Sequence, residues 1–221
     1  MRYWFIVAAT AIITLVGCTA PRPERPEALL REGTRCCRSG DALPKGEAIA
    51  RTATRLIGAR TIEREGHRIA YDCAGVARAI YLEHGIDLYE GGIDRPTVNG
   101  VRLIHAHIRQ HGRLHHGPVV HPGDLVFFDN TWDRNGDGLV NDPLTHVGIV
   151  EQVEADGTVV FISRVAEAVQ RYRMNLALPH VHKTDDGRIV NDYMRRKAER
   201  SQGRGHLTGE LFASFGTRAG Y

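Results

Sequence analysis

Two short apolar segments near the middle of the chain constrain its fold most. The segments 145–150 and 158–163 are rich in β-branched residues, and the turn-forming pair Asp156-Gly157 lies between them. This pattern predicts a β-hairpin. The segment 121–128 begins with a Pro-Gly turn and ends in an apolar run, which predicts a further strand. The chain therefore has to build an antiparallel sheet.

Helical periodicity precedes the strands. Apolar residues recur at helical spacing from Gly46 to Leu56, which predicts a first helix. A second helix is predicted to open near Asp72, because aspartate is a favourable N-cap, and to continue to Leu82. The chain has 221 residues, 42% of them hydrophobic. That is enough for one packed α+β domain with tails.

Cys73 falls in the first turn of the second predicted helix. The partial positive charge of a helix N-terminus favours a thiolate there, and the unpaired N–H groups of that turn can receive an oxyanion. Taken alone, a cysteine in an apolar helix is more often a buried small side chain than a nucleophile. A nucleophilic thiol also needs a base.

Three blocks, in the same order, resemble the signature of the NlpC/P60 cell-wall peptidases. They are Tyr71-Asp72-Cys73-Ala74-Gly75-Val76, His121-Pro122-Gly123-Asp124-Leu125-Val126-Phe127-Phe128 and Thr145-His146-Val147-Gly148-Ile149-Val150. The resemblance covers residues 46–178. It implies an α+β, papain-like NlpC/P60 fold, in which the helix that bears the nucleophile packs on an antiparallel β-sheet.

The same resemblance assigns roles to individual side chains. It implies that Cys73 is the catalytic nucleophile and that His146 is the general base. It also implies substrate contacts at Tyr71, Asp72 and Ala74, which flank the nucleophile. Ala74 stands where the family usually has serine, a change between small residues that preserves the backbone.

Ser163 occupies the third catalytic position, where the family usually has histidine. A serine oxygen accepts a hydrogen bond from an imidazole N–H, but it controls the ring orientation less well than a histidine does. Arg164 is a poor substitute, because a fixed cation opposes an imidazolium. Weaker activity, or an orienting group from elsewhere in the chain, is therefore expected.

The implied reaction is hydrolysis of an amide bond in peptidoglycan stem peptides through a thioester, with peptidoglycan as the partner and no cofactor required for catalysis. Two alternatives stay open: an amidase of the related CHAP group, and a non-catalytic envelope lipoprotein that binds cell wall with a degenerate triad. A disulfide of Cys73 with Cys36 or Cys37 is a third. A net charge of +3 without a basic and aromatic stripe argues against nucleic acid as a partner.

The N-terminus predicts export. The apolar stretch from Tyr3 to Val16 is shorter than the roughly 18 to 20 residues that span a bilayer, which is typical of a signal peptide. Leu15-Val16-Gly17-Cys18 resembles a bacterial lipobox, so Cys18 is expected to be lipidated and to anchor the chain to a membrane. Thr19 favours the periplasmic face of the outer membrane.

The predicted domain organisation has four parts. Residues 1–17 are the lipoprotein signal peptide, 18–44 a proline-rich tether, 45–178 the catalytic domain and 179–221 a basic C-terminal extension. The adjacent cysteines Cys36 and Cys37 in the tether are interpreted as incidental, with a vicinal disulfide or a redox or metal role as alternatives.

Two groups of residues have side chains that suit a metal ion. Oxygen-bearing side chains alternate in an EF-hand-like loop that predicts structural Ca²⁺, with the ligands Asp133, Asn135, Asp137, the Leu139 carbonyl, Asn141 and Asp142. The twelfth position holds Leu144 instead of a carboxylate, so weak affinity is expected, and an ordinary Asx-Gly turn is the alternative. A second group comprises five histidines without an evident carboxylate, interpreted as a solvated helical face rather than a zinc site: His105, His107, His111, His115 and His116.

Overall fold

The computed structural model describes residues 37–40, 44–63, 69–90, 99–195 and 206–219. The longer helices in this part of the chain are α1 (Pro44–Arg55), α2 (Cys73–Leu82) and α3 (Gly100–His111), and a single turn, α4 (Thr208–Leu211), lies near the end. Both sequence-predicted helices are confirmed to within two residues at each end.

The described ranges also contain ten strands. They are β1 (Arg38–Ser39), β2 (Gly112–His115), β3 (Val119–Val120), β4 (Leu125–Phe128), β5 (His146–Val153), β6 (Val159–Val165), β7 (Ala168–Met174), β8 (Tyr193–Arg195), β9 (His206–Leu207) and β10 (Phe212–Arg218). Six of them form an antiparallel sheet in the order β2-β10-β4-β5-β6-β7. The α+β class with an antiparallel sheet is therefore confirmed.

The predicted hairpin is the β5–β6 pair. Ile149 faces Ile162 across the ladder, and Val150 faces Phe161. In the turn between the strands, Asp156 accepts a 2.9 Å hydrogen bond from the backbone N–H of Thr158. Gly157 adopts a φ of 87°, a left-handed conformation that glycine takes without a steric penalty.

The sheet is covered on both faces. Helices α1, α2 and α3 pack on one face through a cluster centred on Ile49, Ile80 and Ile104. A second cluster covers the opposite face, and it includes Cys37 and Met194 from outside the sheet. The central strands β4, β5 and β6 therefore contribute side chains to both cores, because successive residues of a strand point to opposite faces.

The structure corrects the predicted domain boundaries at both ends. Strand β1, from the predicted tether, pairs in parallel with β3, and Cys37 beside it is buried. Strand β10, from the predicted C-terminal extension, lies inside the main sheet between β2 and β4. Residues 37–40 and 206–219 therefore belong to the folded domain. The predicted signal peptide, Cys18 and Cys36 lie outside the described residues.

Candidate active site

Cys73 is the first residue of α2, as predicted. Asp72 is the N-cap of this helix, and its side chain accepts a 2.8 Å hydrogen bond from the backbone N–H of Gly75. A Cβ at position 75 would lie 1.8 Å from the Ala70 carbonyl oxygen, so only glycine lets the preceding chain pass this close to the helix. The cap and the glycine together place the thiol at the helix start.

The Cys73 thiol is free and half-buried. Its pKa is raised from 9.0 to about 12, first by burial and then by the negative charge of Asp72. The backbone N–H groups of Val147, Ala74 and Cys73 lie close to the sulfur and act in the opposite direction. The thiolate that the helix N-terminus was expected to favour is therefore not the resting form. Burial costs a charged sulfur more than the helix end contributes.

His146 is the first residue of β5 and is buried. Its Nε2 lies 2.8 Å from the Oγ of Ser163, and that hydroxyl donates a 2.6 Å hydrogen bond to the Val147 carbonyl. Because the hydroxyl proton is already used, the serine oxygen can only accept from the ring. Nε2 therefore carries the imidazole proton, and Nδ1 keeps a lone pair for a second partner.

The surroundings of His146 disfavour its charged form. Burial, and to a lesser extent the cation of Arg164, lower the pKa of His146 to about 4. With Cys73 held as a thiol, the two side chains rest as a neutral pair. In the described part of the chain, no hydrogen bond joins them.

Cys73 and His146 line one cleft of about 460 Å³. Its other walls come from the start of α3, from the loop before β5, from the end of β6 and from β8. They include Asn99, Thr131, Trp132, Arg134, Thr145, Arg164 and Met194. Asn99 caps α3 and donates a 3.0 Å hydrogen bond to the Leu144 carbonyl, which ties this helix to the loop before His146.

The predicted substrate contacts divide into two groups. Asp72 and Ala74 line the cleft, and their contact with substrate stays a prediction. Tyr71 does not belong to its lining. Its hydroxyl instead hydrogen-bonds the Ala59 carbonyl, and its ring lies under the Arg164 guanidinium at 5.0 Å. Tyr71 thus holds a neighbouring cation and the backbone rather than facing the cavity.

The acidic loop folds around its own side chains. Asp133 accepts hydrogen bonds from the backbone N–H groups of Gly136 and Gly138, both at 2.8 Å. Asp137 accepts from the side-chain amides of Asn135 and Asn141, at 3.0 and 2.9 Å. These hydrogen bonds fix the shape of the loop, and calcium binding stays a prediction.

The remaining two predicted ligands differ in their surroundings. Leu139 is exposed, whereas Asp142 is buried and accepts a 3.1 Å hydrogen bond from the backbone N–H of Arg134. Asp142 and Asn130 exchange two further hydrogen bonds that close the base of the loop. These hydrogen bonds fix the base of the acidic loop next to the cleft.

The histidine group differs from the solvated face that its sequence suggested. His107 and His115 are buried, and burial lowers the pKa of His115 to about 4. Glu90, outside the histidine segment, places Oε1 2.9 Å from His107 Nδ1 and in contact with His111 Nε2. Within the described ranges, these three side chains are the one group of at least three potential ligands that converges.

A hydrogen bond from Arg218 fixes the tautomer of His107. Arg218 donates a 3.1 Å hydrogen bond to His107 Nε2, so that nitrogen holds a lone pair and the ring proton sits on Nδ1, facing Glu90. A metal at Nδ1 would have to displace that proton beside a fixed cation. The geometry therefore favours a polar clamp that joins α3 to the end of β10.

Comparisons of the chain with protein-family models, curated proteins and solved structures gave no match. The site is thus interpreted from its own residues. None of the helices in the described ranges is both long and apolar enough to cross a membrane.

Several cleft residues escaped the sequence analysis. Asn99, Trp132 and Met194 belong to no predicted motif, and the sequence offers Arg164 only as a poor replacement for the orienting residue. A local signal existed for Asn99, because asparagine before a helical segment is a common N-cap. For Trp132 and Met194 no such signal exists, since only the packing of distant segments brings them to Cys73.

Proposed function

We propose that the protein is a cysteine hydrolase of the NlpC/P60 kind that cleaves an amide bond in peptidoglycan stem peptides. The observation that carries this proposal is the meeting of Cys73, at a capped helix start, and His146, oriented by Ser163, in one cleft. The papain-like fold is part of the same proposal. It is supported by a helix that presents the thiol beside an antiparallel sheet that carries the imidazole.

The reaction follows from the protonation states of the site. Nδ1 of His146 takes the proton of the Cys73 thiol as the sulfur attacks the amide carbonyl carbon. The N–H groups near the sulfur, including that of Ala74, stabilise the oxyanion. The imidazolium then gives its proton to the departing amine, which leaves a thioester. A water molecule, activated by His146, hydrolyses the thioester and restores the thiol.

The neutral resting pair has a mechanistic consequence. In this scheme, the ion pair that attacks the amide forms only when substrate occupies the cleft. Proton transfer and carbon–sulfur bond formation are then coupled, so the enzyme does not store a reactive thiolate. A thiol that is protonated at rest is also less exposed to oxidation, which follows thiolate character.

A second candidate is a non-catalytic lipoprotein that binds the cell wall. The specific observation in its favour is the raised pKa of the Cys73 thiol together with the missing hydrogen bond to His146. In this alternative the cleft binds wall peptide and releases it unchanged. A CHAP-like amidase differs from the first proposal only in the bond that is cut, between sugar and peptide.

The envelope location belongs to the proposal too. We expect lipidation at Cys18 and anchoring at the periplasmic face of the outer membrane. Structural Ca²⁺ in the acidic loop, held by the residues 133–142, would stabilise the segment that leads to His146. Labelling with a fatty-acid analogue, compared between the native chain and Cys18→Ala, tests the anchor.

The decisive experiment is digestion of purified peptidoglycan by the chain from Thr19 onward, followed by mass spectrometry of released fragments. Cys73→Ala is the inactive variant. Ser214→Ala is the matched control, because Ser214 is a buried serine on β10 outside the cleft. Fragments that depend on Cys73 support the enzyme, and their masses name the bond. Wall binding by both proteins without release would support the binder.

A further inference from the structure

Arg164 is a cation at the edge of the cleft. It follows Ser163 on β6 and lines the same cavity as Cys73 and His146. None of the ion pairs between described residues includes it. Its Nε is shut off from solvent and, as far as the described chain extends, has no hydrogen-bond partner. A buried donor in this state costs free energy unless something binds it.

Other arginines on this side of the sheet are paired. Arg171 binds Glu151 through two nitrogens, at 2.6 and 2.7 Å, and Arg173 lies 3.7 Å from Glu154. The unmet donor of Arg164 is thus not a general property of arginines on the strands near β6. The unmet donor sets Arg164, which reaches the cleft, apart from the paired arginines on β7.

Tyr71 holds the guanidinium in place. The ring centroid lies 5.0 Å from Cζ of Arg164, which is a cation–π contact. Such a contact does not use the N–H hydrogen bonds of the guanidinium, so they stay available for other partners. The planar N–H edge of the guanidinium matches a carboxylate, which accepts two parallel hydrogen bonds from it.

The charge of the cleft fits the same kind of ligand. Its charged lining consists of Arg164, Arg134 and Asp72, besides the titratable Cys73 and His146. One oxygen of Asp72 is engaged with the helix N-terminus through the N–H of Gly75. Two cations thus face the cavity against one carboxylate that already has a structural role, which gives the cleft a net attraction for anions.

From this geometry we propose that Arg164 binds a free carboxylate of the substrate, on a residue adjacent to the scissile amide. The inference rests on the proposed hydrolase function and deepens it. Arg164 is the specificity-determining residue of this subsite, and Tyr71 positions it. Amidated forms of the same peptide lack the anion and leave the guanidinium unpaired.

The subsite also acts on the base. Arg164 is one of the two causes of the lowered pKa of His146. A carboxylate bound to Arg164 cancels part of that charge and makes the imidazole a better proton acceptor. Substrates with the carboxylate should therefore gain in kcat as well as in binding.

The test separates binding from turnover. Full-length Cys73→Ala protein is titrated by calorimetry with a stem-type tetrapeptide containing D-glutamate with a free α-carboxylate, and with its α-amidated counterpart. We expect the free acid to bind about 10- to 100-fold more tightly, as for a charge-assisted hydrogen-bonded pair. Adding Arg164→Gln should abolish this preference. Adding Arg173→Gln, the matched control on β7, should not.

Each outcome bears on one proposal. If Arg164→Gln leaves the preference for the acid unchanged, or if neither peptide binds, the subsite is overturned. If the preference follows Arg164 but Cys73-dependent hydrolysis is never seen, the subsite stands and the hydrolase proposal fails. In the active protein, a lower kcat for the amidated peptide than for the free acid supports the effect of the bound carboxylate on His146.

Discussion

The Oγ of Ser163 lies 2.8 Å from Nε2 of His146, in a position where it can only accept a hydrogen bond. In the proposed hydrolase, this serine is the residue that orients the imidazole. It selects one tautomer and leaves Nδ1 with a lone pair. The control is incomplete, because one oxygen fixes one nitrogen and does not pack along the ring.

Loss of this hydrogen bond should lower activity without unfolding the protein. We expect Ser163→Ala to reduce kcat about 10- to 100-fold, because it leaves the Nε2–H of His146 buried and unpaired. Ser163→His should retain more activity than Ser163→Ala. Peptidoglycan digestion rates measure both variants.

Ser214→Ala is the control for that series. Its Oγ is buried and has no hydrogen-bond partner in the described chain, so removing it should leave both stability and kcat close to those of the native protein. Equal activity of the Ser163→Ala and native proteins would contradict the orienting role.

The raised pKa of Cys73 predicts slow alkylation at neutral pH. Because burial and the Asp72 charge raise this pKa to about 12, the rate with iodoacetamide should keep rising beyond pH 9.0, where an ordinary thiol is half ionised. Asp72→Asn retains an N-capping side chain but removes the charge, so it should react faster. Intact-mass spectrometry follows the reaction. The Cys73→Ala variant gives the alkylation of the other cysteines, which is subtracted from that of the native protein.

A plateau in the alkylation rate at or below pH 9.0 would contradict the neutral resting pair. It would indicate instead that His146 or the helix N-terminus already stabilises the thiolate in the free protein. Comparison with His146→Gln then separates those two causes.

The buried imidazole should make stability dependent on pH. His146 has a pKa lowered from 6.5 to about 4, so between these values the unfolded chain binds a proton that the native state does not. The free energy of unfolding should therefore fall as the pH drops through this window, by about 3 kcal/mol from this residue alone. Above pH 6.5 the contribution of His146 is fully present.

His146→Gln should reduce this slope, because glutamine does not titrate and its amide can still donate to Ser163. Urea denaturation above, within and below the window measures the slope. His115 has a similarly lowered pKa and contributes in both proteins, so the difference between the two isolates His146. An unchanged slope would mean that His146 is more hydrated than its burial suggests.

The C-terminal strand should be indispensable. A chain that ends at residue 205 lacks β10, which pairs with both β2 and β4, and we expect it to show no cooperative unfolding transition. Phe215→Ala is a milder perturbation of the same strand. It should lower the free energy of unfolding by about 3 to 5 kcal/mol, since this side chain is fully buried. Tyr193→Ala, at a half-exposed tyrosine, is the control. Circular dichroism during thermal unfolding tests all three, and a folded truncated chain would restore the boundary predicted at residue 178.

Local features of the structure could be predicted from the sequence. The hairpin around Asp156-Gly157 follows from turn residues between two β-branched runs, and the start of α2 follows from a capping aspartate. These features depend on interactions between residues a few positions apart, so their signals are complete within a short window. The positions of Cys73 and His146 on their elements could be predicted for the same reason.

The sequence by itself therefore determined which residues form the helix start and the hairpin, and which side chains can supply a thiol and an imidazole. Only the tertiary structure decided that β10 enters the sheet, that Glu90 meets His107, and that Arg164 reaches the cleft with no ion pair to any described residue. It also decided the charge state of the central pair. The physical reason is that pKa values and strand partners depend on burial and on contacts between distant segments, which no local pattern records.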